Sequence, residues 1–345
     1  MDTDLIQPCN NRTLWINTWF SSMASIIEGI KAKMPYIKII ATNKESICTY
    51  AKIADEFYVE PFGCSPNKYI EFAIEFCKKH KIDIIWPKSY AYTIIENQDI
   101  FNANSVGIIS ENKDAMKLCR SKDATYKELQ LHEYNKIPEY YMASNIEDFK
   151  TYFDKLISKG NMCLKFDSDE GASSFRIIEQ LQSNFESLKL PSQNIITYET
   201  AIQILTDNGN QTTFKPIMMM PLLDGPEISV DCYNSPTKGF IAIPRYKLNN
   251  RIKEIKFTEE IISDAKEIGN ILNLKSAYNI QYRKDVSGNY VLLEVNTRIS
   301  GGVHMSSLSG FSIPNQLIAD SFGIDIQQNK PKECLVTQYE KAILI

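Results

Sequence analysis

The first hundred or so residues alternate between strand patterns and helix patterns, and this alternation constrains the fold more than any other feature. The strand patterns are LWINTW (14–19), YIKIIAT (36–42), FYVEP (57–61), IDIIWP (82–87) and VGIIS (106–110). The helix patterns lie at 21–33, at 67–80 and near 90–101. Strands separated by helices of this length indicate a parallel sheet covered on both faces. No GxGxxG motif follows the first strand, so the pattern does not favour a dinucleotide-binding Rossmann domain.

A helix–strand–loop–strand segment comes next. A helix pattern at 122–132 has Ser121 as a suitable N-cap, and a second helix pattern covers 146–158. The strand NMCLKF (161–166), the polar loop DSDEGASS (167–174) and the strand FRIIE then follow. This order predicts a small α+β insertion.

From about residue 211 the sequence is rich in strand patterns. TTFKPIMMMPLL, EISVDCY and GFIAIPRYKL precede a helix pattern at 258–272, and YNIQYRK with YVLLEVN predicts a hairpin. A chain of 345 residues is too long for one ordinary core. We therefore expect domains at 1–120, 121–218 and 219–345.

The charge balance argues against two classes of partner. The formal net charge is −4, and lysine and arginine are spread along the chain without a basic block. Binding to nucleic acid or to an anionic membrane surface is therefore not expected. Hydrophobic residues make up 43% and charged residues 23%, which is typical of a globular protein.

Cysteine and histidine spacing predicts neither a disulfide framework nor a zinc site. The eight cysteines contain no CxxC pair, and the three histidines form no HExxH motif or Cys/His cluster. Reduced thiols are expected in a chain of this size. No apolar run approaches the roughly 20 residues of a membrane span, and the N-terminus lacks a secretory signal pattern. These features predict a cytoplasmic protein.

The segment LLEVNTRISGG (292–302) places polar groups on a predicted strand. Glu294 and Asn296 share a face with Leu292, because side chains alternate with period two. If VSGN forms a four-residue loop, Gln281 lies directly opposite Glu294. The three polar side chains would then offer only oxygen ligands, a set that suits Mg²⁺ together with substrate phosphates. The alternative is a surface hairpin with a polar outer face, and for any one of these residues the two interpretations weigh equally.

Two lysines lie where an element begins or ends. Lys165 ends an apolar strand before a loop that contains Gly and Ser, and it could present an ammonium group to a polyphosphate. Lys122 lies in the first turn of its helix, a position that is unfavourable for a cation unless an anion is near. For each lysine alone, an ordinary solvated side chain is the more frequent explanation.

Three further charged residues lie at strand ends in the last third of the chain. Glu227 begins a strand after a Gly-Pro turn, and an edge carboxylate facing solvent is an equally good explanation for it. Arg245 and Lys247 follow an apolar strand and are candidates for binding phosphate or carboxylate, or are exposed strand ends.

Together and in this order these segments resemble the ATP-grasp superfamily, in particular its carbamoyl-phosphate-synthetase-like and amino-acid-ligase-like members. The matching segments are Ser121-Lys122-Asp123, CLKF with its loop, MMMPLLDGPEISVD, NIQYRK and LLEVNTRISGG. The resemblance implies an α/β and α+β protein. Its N-terminal parallel-sheet pre-ATP-grasp domain (1–120) would precede a two-lobed ATP-grasp domain, with a lid (121–218) and a large subdomain (219–345) that carries the metal and acyl-phosphate site.

The resemblance also implies a set of nucleotide-binding residues. Lys122 and Lys165 look like the paired cations that hold the phosphates of ATP. The loop that covers the triphosphate corresponds to Gly171, Ala172 and Ser173. Met220 and Leu222 match the hinge whose backbone carbonyl and amide bind adenine, and Glu227 matches the acid that holds the ribose.

The metal and acyl-phosphate residues implied by the resemblance lie near the C-terminal end of the matching region. Gln281, Glu294 and Asn296 match the ligands of the catalytic ions, for which two Mg²⁺ are expected and Mn²⁺ is an alternative. Arg298 matches the cation at the reacting phosphoryl and acyl groups. The amides of Gly301 and Gly302 are candidates to hold a carboxylate or oxyanion, and Arg245 is a further catalytic candidate.

Three positions depart from the family pattern. The loop DSDEGASS has one glycine and three acids where the family usually has several glycines, and negative charge beside a triphosphate is unfavourable unless a metal offsets it. Thr297 replaces a common proline. Gly301 stands where carbamoyl-phosphate synthetase has an arginine for bicarbonate, which favours an organic carboxylate as the substrate.

These features give a first hypothesis of an ATP-dependent carboxylate–amine ligase, because carboxylates must be activated before they react with amines. Its partners would be ATP, a small carboxylate and an amine or amino acid, and a homodimer is compatible with the resemblance. The second hypothesis is a carboxylate or small-molecule kinase on the same fold. The third is a nucleotide-binding module without turnover, which is favoured if the acidic loop cannot close on ATP.

Overall fold

The computed structural model describes residues 12–167, 174–178, 194–206, 213–223, 225–285 and 287–339. Contacts group the chain into two units. The first unit comprises Met1–Lys117, Ile228–Ile280 and Asn296–Ile345. The second unit comprises Leu118–Glu227 and Gln281–Val295. The three domain boundaries expected from the sequence stay predictions.

The bounds of the elements follow the sequence patterns closely. The described strands are β1 (Arg12–Ile16), β2 (Ile37–Asn43), β3 (Glu56–Val59), β4 (Ile84–Trp86), β5 (Gly107–Ile108), β6 (Tyr141–Asn145), β7 (Met162–Phe166), β8 (Arg176–Ile178), β9 (Ile195–Ile196), β10 (Thr213–Pro221), β11 (Glu227–Ser235), β12 (Gly239–Lys247), β13 (Ile252–Ile255), β14 (Ala277–Lys284), β15 (Tyr290–Asn296) and β16 (Cys334–Thr337). The described helices are α1 (Met23–Lys33), α2 (Pro66–His80), α3 (Ala91–Glu96), α4 (Gln98–Ala103), α5 (Lys113–Cys119), α6 (Lys122–Leu131), α7 (Ile146–Ile157), α8 (Tyr198–Thr206), α9 (Glu259–Ile271), α10 (Val303–Ser306) and α11 (Ile313–Phe322).

The first unit contains a five-stranded parallel sheet with the order β3-β2-β1-β4-β5. β1 lies in the middle, and Leu14 pairs with Ile39 on one side and with Ile84 on the other. β2 and β3 follow β1 on one side of it in the sheet. β4 and β5 then follow on the opposite side. The parallel sheet predicted from the alternating pattern is confirmed, and the polypeptide reverses its strand order between β1 and β4.

Local signals explain where the helices of this sheet begin and end. Ser65 caps α2 by accepting a bond from Lys68 N at 3.4 Å, and Pro66 occupies the first turn. Lys81 ends that helix in a left-handed conformation with φ 53°. The single helix expected near 90–101 is instead two short helices, α3 and α4, which meet at Asn97.

The first unit also contains strands in the order β14-β11-β12-β13-β16, to which β14 contributes its first residues. The pairs β11–β12, β12–β13 and β13–β16 are antiparallel. One apolar cluster joins these strands to the parallel sheet. It includes Leu14 from β1, Ile27 from α1, Tyr233 from β11 and Ile318 from α11, and each of them is at most 3% exposed. The ends of the strands in both sheets are therefore held by one core.

The second unit is built on a five-stranded sheet with the order β6-β10-β7-β8-β9. β10 pairs antiparallel with β6 and with β7, and its Met218 lies opposite Lys165. Helices α7 and α8 cover a core that includes Phe149, Leu156 and Met219. The last residues of β14, from Gln281, and β15 up to Val295 also belong to this unit. The predicted α/β and α+β fold class, with an N-terminal parallel sheet, is confirmed.

Within the described part of the chain, no helix has both the length and the apolar character needed to cross a bilayer.

Candidate functional site

A cavity of about 620 Å³ lies in the second unit, and most of the predicted nucleotide residues line it. Its polar side chains are Lys122, Lys165, Glu227, Gln281, Arg283 and Glu294. Its apolar side chains include Met218, Met220, Leu222 and Leu293. Pockets of this size, apolar with a few convergent polar groups, are typical of small-molecule sites.

An ion pair inside the cavity joins a predicted phosphate cation to a predicted metal ligand. Lys122 Nζ donates to Glu294 Oε2 at 2.7 Å, and the two side chains are 16% and 18% exposed. Lys122 lies at the N-terminus of α6, where the helix dipole disfavours a cation. The carboxylate of Glu294 offsets this unfavourable charge.

Buried hydrogen bonds fix α6 against the strand that carries Glu294. Tyr126 OH donates to the carbonyl oxygens of Leu292 at 3.2 Å and of Leu293 at 2.6 Å, and burial raises the pKa of this phenol well above its usual value. Ser121 Oγ accepts a bond from Ala124 N at 3.0 Å, as the predicted N-cap requires. The positions of Lys122 and Glu294 are therefore determined by the main chain around them.

The second predicted phosphate cation, Lys165, lies on β7 beside an apolar wall. Its strand neighbour Cys163 also lines the cavity, and burial raises the pKa of that thiol to about 12. The thiol is therefore protonated at neutral pH and contributes an apolar surface rather than a nucleophile. Gly171, Ala172 and Ser173, predicted to cover the triphosphate, lie outside the described residues.

Glu227, predicted to hold a ribose, pairs with an arginine that the sequence analysis did not single out. Arg283 Nη2 donates to Glu227 Oε2 at 3.3 Å, and Arg283 Nη1 donates to the carbonyl of Leu223 at 2.9 Å. Arg283 follows Gln281 by two residues on β14, so strand periodicity places both side chains on one face. That spacing was the signal that could have identified it.

The hinge differs from the prediction at one amide. Leu222 lines the cavity, but its N–H donates to the carbonyl of Asn161 at 2.8 Å. An N–H that is bonded within the protein is not available to adenine, so the role predicted for this amide requires correction. The next amide, that of Leu223, donates to no acceptor within the described part of the chain.

The hairpin of β14 and β15 is longer at its turn than expected. β14 ends at Lys284 and β15 begins at Tyr290, so five residues separate the strands instead of the predicted four, and Asp285 N donates to Asn289 O at 2.9 Å. The register argument for direct opposition of Gln281 and Glu294 is therefore wrong. Both side chains nevertheless line the same cavity.

Arg245, a predicted catalytic residue, is buried in the first unit, where it is 5% exposed. Its Nε donates to Asp231 Oδ2 at 3.0 Å, and its Nη2 donates to the hydroxyls of Ser229 at 3.0 Å and Ser300 at 2.8 Å. Asp231 also accepts from Ser300 Oγ at 2.6 Å and from Asn279 Nδ2 at 3.0 Å. Arg245 is bonded within the protein, so the substrate contact predicted for it requires correction. Its bonds fix the turn that contains Ser300, which is a positioning role.

Gly302 lies against this buried guanidinium. A Cβ at residue 302 would come within 2.4 Å of Arg245 Nη1, so a larger residue would have to displace the buried guanidinium. A Cβ at Gly301 would meet only Phe20 Cδ2, at 3.9 Å. Gly302 thus permits close packing, whereas Gly301 is exposed.

Arg298 precedes this turn and lies over an aromatic ring of the first unit. Its Cζ is 4.9 Å from the centroid of Phe20, and its Nη1 donates to Ile299 O at 3.1 Å. Asn296, the last residue of β15, also belongs to the first unit and is half-buried.

The family described as "ATP-grasp in the biosynthetic pathway with Ter operon" matches residues 213–342. The N5-carboxyaminoimidazole synthetase of Staphylococcus aureus complexed with ADP superposes with a TM-score of 0.69 and 11% identity, over 95% of this chain and 82% of that one. The chain has the ATP-grasp fold. The resemblance found in the sequence is confirmed.

Two further ATP-grasp structures superpose on most of the chain. The L-amino acid ligase of Bacillus licheniformis has a TM-score of 0.63 and 14% identity, over 90% of this chain and 74% of that one. The biotin carboxylase domain of Hydrogenobacter thermophilus 2-oxoglutarate carboxylase, solved as a dimer with MgADP, ADP and bicarbonate, has a TM-score of 0.62 and 16% identity, over 90% and 70%. No curated protein sequence matches the chain.

The donor set of the cavity fits a magnesium ion that shares its ligands with phosphate. Gln281 and Glu294 offer one amide oxygen and one carboxylate, which are oxygen ligands of the kind Mg²⁺ prefers. No group of three His, Cys, Asp or Glu side chains in the described ranges could hold a metal by itself.

Proposed function

We propose that this ATP-grasp protein is an ATP-dependent carboxylate–amine ligase that acts through an acyl phosphate and releases ADP and phosphate. The observation that carries the proposal is the cavity of the second unit, where Lys122 and Lys165 lie with Glu294 and Gln281 beside an apolar wall. Two cations, one carboxylate and an apolar surface are what a magnesium–nucleotide complex needs.

In this proposal the apolar side of the cavity takes the adenine and the two lysines take the phosphates. The carbonyl of Met220 accepts from the adenine amino group, and the N–H of Leu223 donates to the ring in place of Leu222. Glu227 accepts from the ribose hydroxyls, and Arg283 holds its carboxylate in place. Lys122 and Lys165 then neutralise phosphate charge.

Gln281 and Glu294 would hold magnesium, which would supply charge neutralisation at the transferring phosphoryl group when bound. The metal contact that the resemblance implies for Asn296 stays a prediction. Lys122 now pairs with Glu294, so we infer that it exchanges this carboxylate for a phosphate oxygen when the nucleotide binds. Such an exchange keeps both charges compensated in either state.

The reaction requires positioning and charge stabilisation rather than a side-chain nucleophile. A carboxylate oxygen of the acid attacks the γ-phosphorus, the bond from that phosphorus to the bridging oxygen breaks, and ADP leaves. The amine nitrogen then attacks the acyl carbon, and phosphate leaves as the C–N bond forms and the nitrogen loses its proton. Arg298 stabilises the phosphoryl and acyl oxygens, and the amide of Gly301 supports the oxyanion. Arg245 and Gly302 hold this segment in position.

A screen of product formation tests the proposal. Purified protein is incubated with ATP, magnesium and pairs of small carboxylates and amino acids, and ADP, AMP, phosphate and pyrophosphate are measured separately. We expect ADP and phosphate only when both acid and amine are present, or when hydroxylamine intercepts the acyl phosphate as a hydroxamate.

Each alternative gives a different set of products. ADP with a stable phosphorylated product from the acid alone would indicate a kinase. Pyrophosphate would indicate adenylation and contradict both the ligase and the kinase, and ATP binding without turnover would favour a nucleotide-binding module. A cytoplasmic location and a homodimer stay predictions.

A further inference from the structure

Two cations of the first unit lie over one aromatic ring at the carboxyl edge of the parallel sheet. Lys88 Nζ is 5.2 Å and Arg298 Cζ 4.9 Å from the centroid of Phe20. Lys88 follows β4 and Phe20 follows β1, the two strands between which the strand order reverses. In open α/β sheets, ligands bind outside the carboxyl ends of the strands at this reversal point.

Buried hydrogen bonds fix the segment that carries Lys88. Asn17 is fully buried, and its Oδ1 accepts from the backbone N–H groups of Lys88 at 2.7 Å and Ser89 at 3.2 Å. The Nδ2 of Asn17 donates to Ser89 O at 2.6 Å and to Tyr69 OH at 3.0 Å. One buried amide therefore holds the main chain of residues 88 and 89 at the end of β1.

The segment that carries Phe20 is fixed in the same way. Trp19 Nε1 donates to Trp86 O at 3.0 Å, which joins the end of β1 to the end of β4. Trp19 N donates to Tyr50 OH at 3.1 Å, and Trp19 is 6% exposed. Phe20 itself is half-buried and packs edge-on against Trp19, which fixes its ring beside the two cations.

An ammonium group and a guanidinium group each bind anionic groups through charge-assisted hydrogen bonds. Arg298 is already the residue that the proposed function places at the reacting carboxylate. The position of Lys88 on the same ring supplies a second cation for a second anionic group, and the ring supplies an apolar surface for the carbon chain between the two groups.

We propose that Lys88, with Arg298 and Phe20, forms a subsite for an organic acid that carries two anionic groups. The reacting carboxylate binds at Arg298, the second group binds at Lys88, and Lys88 is a specificity-determining residue. This inference rests on the proposed ligase function for the role of Arg298. The second group is a carboxylate or a phosphate-like group, since an ammonium group binds either.

Calorimetric titration of three acids of similar length tests the subsite. Glutarate carries two carboxylates, 4-phosphonobutyrate carries a carboxylate and a phosphonate, and valerate carries one carboxylate. Each is titrated into the full chain without nucleotide and again with ADP and magnesium. Because a charge-assisted hydrogen bond is lost with valerate, we expect at least one dianion to bind about 10- to 100-fold more tightly than valerate. The tighter dianion identifies the second group.

Lys88→Met keeps the length and apolar stem of the side chain and removes its charge. We expect it to abolish the preference for dianions, while Lys88→Arg retains most of it. The matched control is Lys44→Met, since Lys44 follows β2 and lies 4.4 Å from the ring centroid of exposed Phe62. The main-chain bonds to Asn17 are unaffected by Lys88→Met, so the thermal midpoint should not change.

Equal affinities for valerate and both dianions would overturn the subsite, as would the absence of binding by all three acids. A preference that survives Lys88→Met, or that Lys44→Met removes equally, would also overturn it. Failure of the ligase proposal is recognised separately, because it appears as an absence of ADP and phosphate release. The titrations without nucleotide do not depend on turnover.

Discussion

Lys122 Nζ lies 2.7 Å from Glu294 Oε2, although 172 residues separate the two in sequence. The pair joins the start of α6 to β15, and it places the cation proposed for phosphate beside the carboxylate proposed for magnesium. Nucleotide binding should therefore separate the pair without leaving either charge uncompensated.

Replacement of Glu294 by alanine should reduce activity far more than stability. The change removes the only carboxylate in the proposed metal set, and we expect a loss of several kcal/mol, on the order of 10²- to 10³-fold in kcat/KM. The two side chains of the pair are only 16% and 18% exposed, and Lys122 would lose the carboxylate that offsets the helix dipole, so the free energy of unfolding should fall by about 1–2 kcal/mol.

Titration of magnesium at fixed ATP provides the measurement for Glu294→Ala. Glu128→Ala is the control, because Glu128 lies on the same helix as Lys122 and pairs with exposed His132. Unchanged activity of Glu294→Ala at low magnesium would remove Glu294 from the metal site.

Removal of Lys165 should weaken nucleotide binding. Its proposed partner is a phosphate, and a charge-assisted hydrogen bond of about 1.5–3 kcal/mol corresponds to roughly 10- to 100-fold in Kd. The control is Lys159→Ala, because Lys159 lies just before β7 and pairs with Glu139 at the surface. Calorimetry with ATP and magnesium measures the Kd for ATP of both variants. An unchanged Kd for Lys165→Ala would show that this lysine does not contact phosphate.

The sequence predicted local structure well, because caps and periodicity act over a few residues. The helix expected at 258–272 is α9, and Ser121 caps α6 as expected. The pairs Lys122–Glu294 and Glu227–Arg283 could not be predicted, since they depend on how distant segments pack. The bond from Leu222 N to Asn161 O depends on tertiary structure in the same way.

Replacement of Arg245 by methionine should destabilise the protein strongly. It would leave Asp231, which is 1% exposed, as a buried carboxylate without its cation. Breaking a buried pair from one side costs about 3–5 kcal/mol. The double variant Arg245→Met/Asp231→Asn removes the uncompensated charge and should recover part of this loss. Urea unfolding measures the free energy of unfolding of both variants. A loss below about 1 kcal/mol for Arg245→Met would contradict the positioning role of Arg245.

Adjacent glycines give a matched test of packing against the same arginine. Gly302→Ala would place a Cβ 2.4 Å from Arg245 Nη1, and the guanidinium cannot move without breaking its bonds to Asp231 and Ser300. We expect a loss of about 1–3 kcal/mol in the free energy of unfolding. Gly301→Ala meets only an ordinary contact and should change it by about 0.5 kcal/mol or less. Equal effects of the two substitutions would show that Gly302 is not required by Arg245.

Arg298→Lys separates charge from geometry at the proposed acyl-phosphate site. Lysine keeps the positive charge near Phe20 but lacks the planar fork that can contact a phosphoryl oxygen and a carboxylate together. By comparison with the loss of one oxyanion donor, we expect the rate of ADP release to fall roughly 10²-fold, while the Kd for ATP stays unchanged. Arg251→Lys, at an exposed turn, is the control and should have no effect. A wild-type rate for Arg298→Lys would mean that charge alone suffices, and a weakened ATP Kd would place Arg298 with the nucleotide rather than with the acid.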